Sequence, residues 1–260
     1  MGGAVTSVYP IGGISGRLLQ RLVEDEGLAG VTFQVAGEAR ESFTVLETES
    51  GAEYRFVLPG PSLTQSEWRQ ALDTLEGLSE RPDILVMSGS LPPGVPHDFY
   101  AQAARAVEGR GGRVILDSSG PALAAGKGLF LIKPNLRELR ELTGEALEDE
   151  TSWVAACSSL VTSGKVEAVA LTLGEKGALL VSRNVTLRAP ALPISPASTV
   201  GAGDSFLGAL VWALASGRDL EEAFRYGIAA GSAALLAPGT QLCRHHDVER
   251  LYSQVIIHPL

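Results

Sequence analysis

Cysteine is nearly absent: Cys157 and Cys243 are the whole complement of the 260 residues. The two thiols match neither a metal-ligand spacing nor a disulfide framework, and they suit a reducing compartment. Histidine is almost as scarce, with four residues. His245 and His246 are adjacent, which suits a solvated helix start better than chelation of a metal. Basic charge is also short, 21 Lys and Arg against 30 Asp and Glu, for a net charge of -9. A nucleic-acid partner needs a basic face and is not expected; a small anionic substrate is not excluded, because a phosphate site is local. No apolar run reaches the length of a membrane span. The start of the chain lacks the basic residues and short apolar block of a secretory leader. A cytoplasmic protein with no membrane partner is therefore expected.

What is present is core-forming material. Hydrophobic residues make up 45% and charged residues 20% of the chain, within the range of one α/β domain with a small appendage. Strand and helix patterns alternate, the mark of a mostly parallel sheet covered on both faces. Ala4–Tyr9 is β-rich, and Ser15–Glu26 has apolar residues at helical spacing, closed by Gly27. Runs at Val31–Ala36, Ser42–Glu47 and Tyr54–Leu58 are β-branched and aromatic, with turn residues between them and no helix. They read as a meander outside the parallel sheet. This predicts a β lid over 31–59 and a main domain formed by 1–30 with 60–260.

Regular alternation resumes after the lid. Ile84–Met87, Val114–Leu116, Leu129–Ile132, Ala168–Thr172 and Ala178–Val181 read as strands. Pro96–Val107, Asn135–Leu142, Thr151–Val161, Ala202–Ala215, Leu220–Leu236 and Asp247–Val255 read as helices. There is no internal repeat and no low-complexity tract.

The strongest local motif is Gly201-Ala202-Gly203-Asp204 at the start of an apolar helix. Its glycines let the backbone turn tightly, and the N–H groups of a helix start point outward under the positive end of the dipole. Such a turn suits a phosphate or an oxyanion. Asp204 beside it makes sense as a proton acceptor for an attacking hydroxyl. The competing reading is an ordinary helix cap, with Asp204 bonding backbone N–H groups. Lys133-Pro134-Asn135 likewise reads, on its own, as a strand end, a proline turn and an Asn helix cap.

In context, Thr199-Val200-Gly201-Ala202-Gly203-Asp204-Ser205-Phe206 resembles the C-terminal motif of the ribokinase/PfkB family of carbohydrate kinases. Lys133-Pro134-Asn135-Leu136-Arg137-Glu138 is similar to that family's Lys-Pro-Asn-x-x-Glu motif. Thr172-Leu173-Gly174-Glu175-Lys176-Gly177-Ala178 resembles its strand-loop segment ahead of the nucleotide pocket. Ser88-Gly89-Ser90-Leu91-Pro92-Pro93-Gly94, Asp117-Ser118-Ser119-Gly120 and Gly231-Ser232-Ala233-Ala234 fit in the same order. The likeness spans essentially the whole chain, with the phosphosugar kinases of PfkB type the nearest branch.

The resemblance implies a three-layer α/β/α ribokinase-like sandwich with a small β-sheet lid. It implies ATP-dependent phosphorylation of a phosphosugar, D-fructose 6-phosphate first, with tagatose 6-phosphate and fructose 1-phosphate as alternatives. By the same likeness Asp204 is the catalytic base, and the N–H groups of Gly201, Ala202 and Gly203 stabilise the transferring phosphoryl group. Lys133 reaches the nucleotide phosphates, while Asn135 and Glu138 orient Mg²⁺ through water. Thr172 and Gly174 line the nucleotide pocket, with Gly231 close to the adenine. Arg40, with its bidentate fork, and Ser90 hold the phosphosugar. A potassium ion would use the carbonyls of Ser198, Val200, Ala234 and Gly239, although Ala237 and Gln241 stand where an asparagine and an arginine are expected. Lids of this kind pair between subunits, so a homodimer is expected.

The family normally opens with a strand carrying a sugar-binding aspartate, then a Gly-Gly-x-x-x-Asn segment. Neither precedes Ala4. The sequence is expected to lack this N-terminal part, either as a truncated record or as a short form of altered function, and to leave a sheet edge exposed. A catalytically inactive nucleotide-binding or regulatory protein is the alternative of another class.

Overall fold

The structure is a computed structural model that describes residues 2–79, 82–105 and 112–260. In chain order it begins with β1 (Thr6–Ile11), α1 (Gly13–Asp25), β2 (Ala29–Gln34), β3 (Ser42–Leu46), β4 (Glu53–Val57) and α2 (Gln65–Glu76). Next come β5 (Ile84–Ser88), α3 (Phe99–Arg105), β6 (Arg113–Asp117), α4 (Gly120–Ala124) and β7 (Leu129–Ile132). Then follow α5 (Leu136–Thr143), α6 (Glu150–Thr162), β8 (Val166–Thr172), β9 (Ala178–Ser182) and β10 (Thr186–Ala189). The chain closes with α7 (Ala202–Ala215), α8 (Leu220–Ala234), α9 (His245–Tyr252) and β11 (His258–Pro259). The helix expected over Pro96–Val107 starts at Phe99, and its final residues 106–107 lie outside the described residues.

The fold divides into two compact units. Residues 4–79 and 90–105 form one of them. Its β1 and β2 run parallel, from Thr6 opposite Ala29 to Ile11 opposite Gln34, with α1 as the crossover. This differs from the expected meander: β2 pairs with β1 and not with β3. A parallel pair needs a crossover helix, and α1 provides it, whereas the β2–β3 link closes no ladder. The antiparallel hairpin is β3–β4 alone, with Phe43 opposite Phe56 and Val45 opposite Tyr54. The unit's core gathers Phe33, Val35, Leu63, Trp68, Ala71 and Val95. Thr64 and Glu67 form a reciprocal capping box at the start of α2, and the Glu67 carboxylate also accepts the Ala36 N–H at 2.6 Å. One carboxylate thus starts a helix and ties it to the end of β2.

The other unit holds a seven-stranded sheet in the order β11-β10-β9-β8-β7-β6-β5. β5 to β8 pair in parallel, and β8 to β11 pair in antiparallel fashion. Side chains alternate between faces along each strand. Ile115, Leu131, Ala168, Ala170, Leu180 and Leu187 face a layer that includes Phe206, Leu210, Phe224 and Val248 of α7, α8 and α9. The other parity, Leu116, Ile132, Val169, Leu171, Leu179 and Val181, is also buried, on the side where α5 and α6 pack against β8 and β9. A sheet apolar on both faces must be covered on both, which makes the three layers. Among the described residues β5 is the last strand of this sheet, and Val86 on it is 39% exposed.

Among the described residues, no helix is long and apolar enough to cross a membrane. Cys157 and Cys243 are both free thiols. Cys157 is fully buried in α6, and that burial pushes its thiol up to about 12. Thiolate character controls reactivity. Titration of the native protein with a chromogenic disulfide should therefore modify Cys243 alone, and Cys157 should react only after denaturant is added. Equal reaction of both in the native state would contradict this packing.

Candidate active site

In a parallel sheet the C-terminal strand ends share one edge, and chemistry collects there. Register sets which residues meet. Leu116 lies beside Ile132, and Ile132 beside Val169. The C-terminal ends of β6, β7 and β8 are therefore neighbours: Asp117 ends β6, Lys133-Pro134-Asn135 follows β7, and Thr172 ends β8. The Thr172 N–H donates to the Pro134 carbonyl at 3.0 Å, and Asn135 and Thr172 form an isolated parallel bridge. The Gly89 N–H donates to the Asp117 carbonyl, and the Ser118 hydroxyl returns a bond to the Gly89 carbonyl, each at 2.9 Å.

Lys133 and Asp117 form a buried ion pair, Nζ to Oδ2 at 3.2 Å, with side chains 8% and 16% exposed. Burial pushes the Asp117 carboxyl above its usual range, against the pull of Lys133. Glu138 and Asp204 add smaller upward pushes, as nearby like charges do. In the sequence Asp117 is legible only as part of a motif, with no role of its own. The legible signal was its place: a carboxylate at the end of a parallel strand.

Asn135 and Glu138 form a capping box at the start of α5. The Asn135 side chain accepts the Glu138 N–H at 2.9 Å, and Glu138 Oε2 accepts the Asn135 N–H at 2.9 Å. The plain helix-cap reading of this segment is thus present in the structure. Among the described residues, Glu138 Oε1 is left with a distant ion pair to Arg137 at 3.9 Å.

The turn before α7 has no such cap. Gly201 is the N-cap residue at φ 77, with no side-chain hydrogen bond. Its left-handed backbone favours glycine. The ladder of α7 starts with the Ser205 N–H donating to the Gly201 carbonyl at 2.8 Å. The N–H groups of Ala202, Gly203 and Asp204 precede it and stand at the positive end of the helix. Asp204 is exposed and does not cap the helix, so the ordinary-cap reading of this motif fails here. A β-carbon added to Gly203 would lie 3.3 Å from the Lys133 ammonium, so that cation sits against the same turn. Gly231 of α8 has a structural duty as well: a β-carbon there would lie 3.2 Å from the Ala202 carbonyl.

Thr172 and Gly174 border the loop between β8 and β9. Gly174 has φ 59 and opens a single 3₁₀ turn through Lys176. Arg188 braces this loop from β10 by donating to the carbonyls of Lys176, Ala178 and Ala189 while pairing with Glu150 at 2.8 Å. Sequence reasoning did not single it out, because its partners are backbone carbonyls and a glutamate 38 positions away. Ser198 is buried, and its hydroxyl accepts the Val200 N–H at 3.3 Å. The Ala197 N–H donates to the Leu235 carbonyl at 2.7 Å, which joins the irregular segment before the turn to the end of α8 near Ala234. Gly239 follows at φ 62.

Arg40 and Ser90 belong to the other unit, where Arg40 Nη1 donates to Ser90 Oγ at 3.3 Å. The Gly12-Gly13 turn there holds a carboxylate of its own chain: Glu38 accepts the Ile14 N–H at 2.8 Å and the Ser15 N–H at 3.3 Å.

An open helix start, an ammonium group against it and an exposed carboxylate beside it are groups that suit phosphoryl transfer on an α/β fold. The model of the pfkB family carbohydrate kinases matches residues 1–247, and the chain belongs to that family. The ATP-dependent 6-phosphofructokinase isozyme 2 of Mycobacterium tuberculosis (strain H37Rv) is 43% identical over 97% of this chain and 75% of its own length. The 1-phosphofructokinase of Bacillus subtilis is 32% identical over 94% of this chain and 79% of its own. The phosphofructokinase-2 of Escherichia coli in complex with potassium superposes with a TM-score of 0.92 at 39% identity, over 97% of this chain and 82% of that one. A tetrameric inhibited form of the same enzyme gives 0.90.

Gly201 carries a further expectation. A β-carbon at φ 77 is strained and would meet Leu242 Cδ2 at 3.2 Å. Gly201→Ala should cost on the order of 1–2 kcal/mol, the penalty of a left-handed L-residue, read by denaturant unfolding. A neutral result would show that the turn relaxes freely.

Proposed function

We propose that the chain transfers the γ-phosphoryl group of ATP to a phosphosugar, with D-fructose 6-phosphate as acceptor and fructose 1,6-bisphosphate as product, a glycolytic step. The carrying observation is the exposed, non-capping Asp204 beside the open first turn of α7, with Lys133 against that turn. The names of the M. tuberculosis and E. coli relatives support fructose 6-phosphate. The B. subtilis relative keeps fructose 1-phosphate in view, and tagatose 6-phosphate offers the same anionic handle.

In this reading Asp204 takes the proton of the attacking hydroxyl. The N–H groups of Gly201, Ala202 and Gly203 receive the charge that builds on the transferring phosphoryl oxygens. Lys133 binds the nucleotide phosphates as a point charge. Thr172, Gly174 and Gly231 border the nucleotide. Arg40, already bonded to Ser90, receives the phosphate of the sugar.

Among the described residues, no group of three or more His, Cys, Asp or Glu is arranged to hold a metal. That fits Mg²⁺, which binds through one or two carboxylates and takes its other ligands from phosphates and water. Glu138 has an oxygen free of the capping box for it, and the Asn135 side chain lies alongside. Bound Mg²⁺ would neutralise charge on the ATP phosphates. Potassium would be held by the carbonyls of Ser198, Val200, Ala234 and Gly239, on segments that the Ala197–Leu235 bond stitches together.

The lid supports a homodimer. Phe43, Val45, Tyr54 and Phe56 share one face of the β3–β4 hairpin, and Phe43 and Phe56 stack at 5.1 Å while remaining 50% and 47% exposed. An apolar stripe of this kind marks an interaction surface. The free thiols suit a cytoplasmic setting.

Asp204→Asn should lower kcat by about 100- to 10,000-fold, the usual worth of a general base, and leave ATP affinity within a few fold. Coupled ADP-release assays with the three phosphosugars read this. Arg40→Ala should raise the KM for the phosphosugar with little change in kcat. Binding of MgATP without turnover of any of the three would favour a nucleotide-binding regulatory protein instead. Phe43→Asp should shift the sedimentation coefficient to that of a monomer; an unchanged oligomer would remove the lid from the interface.

A further inference from the structure

Lys133 stands in an awkward place. Its ammonium lies against the first turn of α7, 3.3 Å from where a Gly203 β-carbon would be. That turn is the positive end of a helix, and a positive end repels a cation. The side chain is also buried, so water does not stabilise the charge. Its flexible four-carbon stem would let the ammonium turn elsewhere. Before any nucleotide phosphate arrives, something anionic has to hold it there.

Asp117 meets that need. The parallel register that sets Leu116 beside Ile132 brings Asp117 and Lys133 side by side at the next position. The carboxylate meets the ammonium at 3.2 Å. An ammonium has three donors, so one bond to Asp117 leaves others for a phosphate. Asp117 is itself fixed by its backbone: its carbonyl accepts the Gly89 N–H at 2.9 Å, and the neighbouring Ser118 hydroxyl bonds the Gly89 carbonyl. A buried ion pair is weak evidence for a stability role, because desolvation offsets most of its attraction. Its value here is directional.

We infer that Asp117 is a positioning residue for phosphoryl transfer: it holds the Lys133 ammonium against the open turn of α7 until a nucleotide phosphate binds there. This rests on the kinase reading above, since it assigns Lys133 to the nucleotide phosphates.

The test is a double-mutant cycle of Asp117→Asn and Lys133→Met, read in kcat with the phosphosugar and in the MgATP dissociation constant by calorimetry. Asp117→Asn alone should lower kcat about tenfold and weaken MgATP binding, because Lys133 loses its orientation. Lys133→Met alone should lower kcat by about 100-fold, as the loss of one donor to the transition state does. Added to Lys133→Met, Asp117→Asn should change either quantity by less than about twofold, since there is no ammonium left to hold. A merely structural carboxylate would give the same factor in both backgrounds, and that result overturns the inference. If Asp117→Asn melts below the assay temperature, the cycle is run with Asp117→Glu. That variant keeps a counter-charge but shifts it by one methylene; the same coupling is expected, and independent factors again overturn the inference. A wild-type chain that binds MgATP but turns over no phosphosugar sinks the kinase reading, while the cycle in MgATP affinity still decides the role of Asp117. A wild-type chain that binds no MgATP overturns both.

Discussion

The first turn of α7 is left open, and the rest of the site is arranged around that fact. Four other helix starts are closed by their own side chains, Thr64 and Glu67 at α2, Asn135 and Glu138 at α5, Asp149 and Ser152 at α6, Asp219 at α8, whereas α4 and α9, like α7, have no capping side chain. At α7 a left-handed glycine makes the turn and contributes no side chain. An uncapped helix end costs free energy unless something satisfies its N–H groups. In the reaction proposed above that something is the migrating phosphoryl group, and on that proposal the open end serves the transition state rather than the resting fold.

The neighbours of this turn are chosen for smallness or for charge. Gly231 lets α8 pass close to the Ala202 carbonyl, where a side chain would crowd the turn. Buried Phe206 and Phe224, edge-to-face at 6.1 Å, anchor the two helices beneath it. From the sheet, Lys133 brings the positive charge and Asp117 the counter-charge. The chain as a whole carries -9, yet the helix end with Lys133 against it is locally positive. Net charge governs long-range behaviour, whereas a binding site is decided within a few ångströms.

Division of labour between the two compact units follows the chemistry proposed for them. The unit with the seven-stranded sheet carries the turn, the ammonium and the nucleotide loop on strand and helix ends, where geometry is held most firmly. The Arg40–Ser90 pair and the apolar hairpin lie in the smaller unit, on loops and a two-stranded ribbon. A two-stranded ribbon has marginal stability of its own, which suits a surface completed by a partner.

Motifs bound to local backbone chemistry were legible in the residue string. The helix over Ala202–Ala215, the strand over Leu129–Ile132 and the Asn135 cap could be read directly, because apolar spacing, proline and capping residues act within a few positions. Family membership was legible for the same reason: its motifs are short, ordered and chemically constrained. Pairing was not. Val31–Ala36 reads as strand, but nothing local says that it joins β1 in parallel rather than β3 in a meander, since a strand's partner is set by long-range closure. Short strands such as β10 and β11 escaped notice because their stability comes from neighbours rather than from pattern. The pairing of Asp117 with Lys133, the approach of Lys133 to Gly203 and the grip of Arg188 on the loop carbonyls arise only when distant segments meet. Sequence alone determined which groups were available to do chemistry, and the tertiary structure decided which of them touch.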